Sequence, residues 1–120
     1  MKITGIEDTG NLEKERIVLK VLDDVDVGRY AIFKSKKIGD KKVSNKVSLT
    51  FWFQDQPVKK DDLVVVYTKA GTYKSTVNPS GNTSHFFYWD LSSAIWNNED
   101  AVVLLNVGEW SVEFVKNKDV

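Results

Sequence analysis

A single histidine, no cysteine and a few adjacent acids bound the chemistry this 120-residue chain could perform. General-base or multi-histidine metal chemistry starting from His85 has no second imidazole to draw on. Set beside Phe86-Phe87-Tyr88-Trp89, His85 reads as a strand residue. Without cysteine there are no disulfides, thiolate metal sites or thiol nucleophiles. Asp61-Asp62 and Glu99-Asp100 look like carboxylate pairs, but neighbours on an extended chain point to opposite faces and do not converge on one substrate atom. They read as turn residues. Asp23-Asp24-Val25-Asp26-Val27-Gly28 has the acid density of a calcium loop without its length or its distal bidentate acid. The glycines never cluster into a phosphate cradle. Asn82-Thr83-Ser84 satisfies the glycosylation sequon formally, but the N-terminus turns acidic before an apolar run of signal-peptide length develops. The sequence predicts no catalytic residue, no metal and no cofactor.

Binding chemistry is better represented. Val47, Leu49, Phe51 and Phe53 alternate with Ser48, Thr50, Trp52 and Gln54, the period of a half-buried strand. Trp52 falls on the face that otherwise carries small polar residues, so it is expected to be exposed and to lie beside another aromatic, Tyr88 in the first instance. In Ser84-His85-Phe86-Phe87-Tyr88-Trp89 one face carries Phe86 and Tyr88, the other His85, Phe87 and Trp89. Either the strand is central and covered on both sides, or one set joins Trp52 in a surface patch of the kind that marks protein contacts. Upstream, Lys34 to Lys46 holds six lysines against one acid. Lys36, Lys37, Lys41 and Lys42 are expected to form a steering rim around anchors Trp52, Phe86 and Tyr88. The expected partner is a protein, or a second copy in self-association. The competing reading is single-stranded nucleic acid, with lysines on phosphates and rings on bases, although the absence of arginine from this segment counts against specific recognition.

The elements that must position these residues are short strands. Segments 2–7, 14–22, 28–34, 46–53, 62–69, 84–89, 101–106 and 109–116 are rich in β-branched and aromatic residues and bounded by Gly, Asn, Asp or Pro. Asn78 to Asn82 reads as a hairpin tip, and Asn106-Val107-Gly108 as a tight turn joining the last two strands. Asp90 to Trp96 looks helical, with Asp90 as N-cap. The pattern predicts one domain over residues 1–120, an all-β, antiparallel two-sheet sandwich with one short helical turn near 91–97. Leu63-Val64-Val65-Val66-Tyr67 is apolar on both faces and should be a central strand with its outer face covered. Leu19, Phe51, Val65, Leu104 and Val112 are the expected core.

The order of these motifs is similar to that of the lamin tail domain. Glu15-Arg16-Ile17-Val18-Leu19-Lys20-Val21 matches that family's Glu followed by alternating apolar residues, and Val25-Asp26-Val27-Gly28-Arg29-Tyr30-Ala31-Ile32 its next strand. Leu49 to Phe53 with Asp62 to Tyr67, and Trp96 to Leu105 through Trp110-Ser111-Val112, match the later strands. Tyr30 stands where the family often has Trp, and Pro57-Val58-Lys59-Lys60-Asp61-Asp62 replaces its usual Pro-Gly. The resemblance implies an immunoglobulin-like sandwich acting as a non-catalytic interaction module.

Seventeen basic and seventeen acidic side chains cancel, which argues against whole-surface attraction to nucleic acid or anionic membrane. No segment approaches the roughly 18 apolar residues of a membrane span. The expectation is a soluble, cytoplasmic protein.

Overall fold

Alternation along each strand decides which face enters the core. The computed structural model describes residues 1–117, and its strands in chain order are β1 (Lys2–Glu7), β2 (Arg16–Lys20), β3 (Val25–Asp26), β4 (Tyr30–Lys36), β5 (Leu49–Trp52), β6 (Pro57–Val58), β7 (Leu63–Tyr67), β8 (Lys74–Val77), β9 (Thr83–Tyr88) and β10 (Asp100–Asn106). They form an all-β sandwich: a five-stranded sheet in the order β1-β2-β7-β9-β8 faces a three-stranded sheet, β10-β4-β5, with the short β3-β6 ladder beside them. Ile17, Leu19, Val64, Val66 and Phe87 turn inward from the large sheet to meet Tyr30, Ile32 and Phe53. Phe51, Val102 and Leu104 border this core half-buried. Rings join the sheets edge-to-face: Phe87 to Phe53 at 5.1 Å, Phe53 to Phe51 at 5.1 Å. Such pairs add about 0.5–1.5 kcal/mol each beyond area burial.

The doubly apolar strand β7 is central, as its pattern requires. Its neighbour β9 runs parallel to it, with Val65 opposite Phe86 and Tyr67 opposite Tyr88. The sandwich is therefore not wholly antiparallel. From the end of β7 the chain passes over one strand position, descends as edge strand β8, and returns through the Asn78–Asn82 turn into the slot between. β8 has four exposed residues and no alternation, so no apolar signal announces it.

Two expected elements are absent. Residues 91–97 form no helix; the single helical turn among the described residues is a 3-10 turn at Val27–Arg29, capped by the Asp26 carboxylate accepting from the Gly28 amide at 2.8 Å. Asp90 sits at φ 65°, outside the extended geometry of an N-cap. Residues 109–116 pair with nothing, and no hairpin forms at 106–108, because the Val107 amide stays bonded to Arg29 O at 2.6 Å and carries the chain straight past the turn. Val112, expected in the core, is 62% exposed.

Three buried carboxylates hold the loops in place. Glu15, wholly buried, accepts from the amides of Gly10, Ile95 and Trp96 and from the Thr68 hydroxyl. Asp62 accepts from the amides of Lys59 and Thr83 and meets His85 Nε2 at 2.9 Å. Asp100 accepts from the Asn97 amide and lies 3.1 Å from both Lys34 Nζ and Lys36 Nζ. Burial alone would raise the carboxyl groups of Asp62 and Asp100, but these amide, imidazole and ammonium donors outweigh it and hold both below the ordinary aspartate value. A carboxyl whose folded pKa is depressed stabilises the fold above its unfolded value, and that contribution is lost as pH falls through the folded one. Thermal unfolding followed by circular dichroism should show a Tm that starts to decline as pH drops to about 4, the unfolded aspartate range, and declines further below it. Asp100→Asn should flatten that decline. A wild-type Tm unchanged down to about pH 3 would contradict the role given to these groups.

Candidate binding surface

Parity on β7 and β9 sends His85 and Phe87 into the core and Phe86 and Tyr88 out of the large sheet. On that outer face Tyr67 stacks on Tyr88 at 5.6 Å and 13°, and on Phe86 at 6.3 Å and 29°. All three rings are half-buried. They are their own cover: Val65, outward-facing between Val18 and Phe86, is 7% exposed without a helix above it. Lys69 places its ammonium 4.9 Å from the Tyr67 ring centre, and Lys74 borders the same groove. A cation held over a ring gains about 0.5–1 kcal/mol at an exposed site.

Trp52 lies on the outer face of the small sheet, 49% exposed. Its indole nitrogen donates to Gly28 O at 2.8 Å, and its ring meets Trp110 edge-on at 5.2 Å. Its aromatic partner is thus Trp110, while Trp52 and Tyr88 both line a cleft of about 300 Å³, together with Phe51, Gln54, Gly71 and Tyr73. Gly71 is required there. A β-carbon on it would sit 2.4 Å from the Tyr88 ring, so any other residue would push Tyr88 out of place. Aromatic surface therefore runs from Phe86 and Tyr67 through Tyr88, over the cleft, to Trp52 and Trp110. On the far side of Trp52, a mainly apolar hollow is lined by Ala31, Phe33, Thr50, Val107 and Trp110.

The lysine segment is placed elsewhere. Lys37 to Val43 closes a small hairpin that prolongs β4, with Gly39-Asp40-Lys41 at its tip. Trp52 pairs with Ala31 at the opposite end of that strand, five residues from Lys36, or about 16 Å at 3.3 Å per residue. Lys36 is engaged with Asp100, and Lys37 donates to Asn98 O at 2.8 Å. Lys41 and Lys42 are exposed at the tip. The structure brings Trp52 and Tyr88 to one cleft, puts Phe86 on the same surface, and leaves Lys36, Lys37, Lys41 and Lys42 apart from it. The cations beside the rings are Lys69 and Lys74. Tyr67, Trp110, Lys69, Lys74 and Gly71 were not singled out from sequence. For Tyr67 a signal existed, since it shares the outward parity of Val65 in a central strand; the pairing of Trp110 with Trp52 has none.

His85 has partners that its isolation in sequence concealed. Its Nε2 faces Asp62, and its Nδ1 lies 2.8 Å from the Tyr73 hydroxyl. With the ring proton on Nε2 toward the carboxylate, Nδ1 accepts from Tyr73. The order carboxylate, imidazole, hydroxyl is that of a nucleophile relay, but here it ties the 68–73 crossover to the base of β7, with the Tyr73 ring packed on Phe87 at 5.0 Å. Among the described residues, no three His, Asp or Glu side chains converge as metal ligands. No helix among the described residues is long and apolar enough to cross a membrane. Protein-family models, curated proteins and solved structures offer no match to this chain.

Proposed function

We propose that this domain is a non-catalytic binding module that holds a protein segment across its aromatic surface. The observation that carries the reading is the shared cleft, which Trp52 and Tyr88, from different sheets, both line, Trp52 with Trp110 beside it and Tyr88 with Tyr67. Tyrosine and tryptophan dominate contact energetics, because they bring large rigid area at low entropic cost and keep a polar handle. Lys74, and Lys69 shared with Glu13 at 3.7 Å, favour a segment that carries acids beside its apolar anchors. The order of motifs suits a lamin-tail-like, immunoglobulin-like module, and the absence of cysteine suits a reducing compartment such as the cytoplasm.

A displayed peptide library selected on the wild-type domain should yield binders. Those binders should lose at least about 30-fold in affinity for Trp52→Ala or Tyr88→Ala, the loss of roughly 2 kcal/mol that marks an anchor ring. Trp52→Ala should stay within about 1 kcal/mol of parental stability, since half of its surface is already in water. Peptides that bind both variants undiminished would refute this surface. Single-stranded nucleic acid is the second reading, favoured by rings flanked by lysines. Tight oligonucleotide binding that weakens steeply with added salt would establish it in place of the first.

A further inference from the structure

Every sheet edge offers backbone donors and acceptors, and natural edges are blunted with lysine, proline, bulges or a covering loop. β10 carries no lysine or proline between Ala101 and Leu105, and it pairs with β4 without a bulge or register shift. The ladder fixes which of its groups are free. Lys37 N bonds to Glu99 O and Val107 N to Arg29 O, so residues of odd number bond to β4. Val102, Leu104 and Asn106 turn their amides and carbonyls away from it, toward a side where the sheet has no further strand. Val102 and Leu104 face the core yet remain half-buried, as expected of side chains with no strand beyond them.

The same chain carries a strand without a sheet. Trp110, Val112 and Phe114 alternate with Ser111 and Glu113. Beyond Trp110, Val112, Phe114 and Val115 are 62, 79 and 100% exposed. The molecule extends 61 Å in one direction against 33 and 28 Å in the others. This segment cannot readily serve its own β10. Trp110 roots it on Trp52 of β5, which lies on the other side of β4 from β10.

We infer that Ser111–Val115 of one copy adds as a strand to the free edge of β10 in a second copy. The segment spans five residues, as does Val102–Asn106 with its three outward-turned backbone positions. Val112 and Phe114 would then continue one apolar face of the small sheet, and the exchange made twice about a two-fold axis closes a dimer. The inference does not depend on the aromatic surface being a binding site.

Light scattering coupled to size exclusion should give twice the 13.7 kDa chain mass for the full chain at micromolar concentration. Val112→Asp and Phe114→Asp, both at exposed positions, should give folded monomers with unchanged far-ultraviolet circular dichroism. Placement is read by mixing copies that carry Val103→Cys with copies that carry Ser111→Cys. In a chain without cysteine, a short thiol cross-linker can join only these two positions or like to like. The mixed product should dominate. A monomeric wild type, a dimer that survives both Asp substitutions, or like-to-like products alone would each overturn the inference.

Discussion

Glu15→Ala is expected to cost about 4 kcal/mol or more, a large share of the 5–15 kcal/mol that holds a domain of this size together. The side chain is wholly buried and accepts four hydrogen bonds: from Gly10 N at 2.8 Å, Thr68 Oγ1 at 2.6 Å, Ile95 N at 3.0 Å and Trp96 N at 3.2 Å. Removing it leaves the buried Thr68 hydroxyl and Trp96 amide without an acceptor, each costing roughly 1–3 kcal/mol, and frees the part-buried Ile95 and Gly10 amides as well. Glu15→Gln should cost about half as much, since its amide nitrogen would face donors where a carboxylate oxygen now accepts. Urea unfolding with both variants measures this. A cost for Ala under about 1 kcal/mol would mean that water reaches these amides and that Glu15 is not what holds the 90–97 segment down.

Phe87→Ala should follow at about 3–5 kcal/mol. The ring is 2% exposed and lies between Tyr73 at 5.0 Å and Phe53 at 5.1 Å, so its removal opens a cavity that neighbours from two sheets and a crossover would have to fill. Phe51→Ala, at a half-buried border position, should cost about 2 kcal/mol, because less area and less volume are lost. The order of the two matters more than either value. If Phe51→Ala proves the costlier, the centre of the core lies nearer β5 than the structure places it.

Much of the sheet structure is legible because burial imposes a period. β2 and β7 announce themselves, and the two-faced apolar character of Leu63–Tyr67 correctly demands a central strand. Over 109–116 the period states only that a strand would suit the sequence, not that a neighbour is at hand, and no strand forms. The 90–97 segment misleads for a different reason. Its local signals favour a helical turn, whereas its amides at Ile95 and Trp96 are taken by Glu15, 80 and 81 residues away in sequence. Local propensity cannot reveal a partner so distant. Nor could the lysine run disclose that β4 carries its charges away from Trp52. On the candidate surface, Trp52 was legible from parity. Its proximity to Tyr88 rests on a crossover that sequence does not draw, and Tyr73 reaches His85 through that same crossover.

The position of β9 between two strands that both precede it constrains how the chain can assemble. β9 is bonded to β8 by a hairpin and to β7 by a parallel ladder that skips a strand position. The β8–β9 hairpin is a local event, on the order of microseconds. Docking it onto β7 closes a longer loop in a specific register, the kind of step that slows folding of β proteins. Before that docking Tyr67 has no Tyr88 to stack on, the cleft beside Trp52 lacks one wall, and Gly71 is uncovered. The surface that would recognise a partner thus depends on the docking of the β8–β9 hairpin onto β7, and a chain in which that docking is missing does not display it.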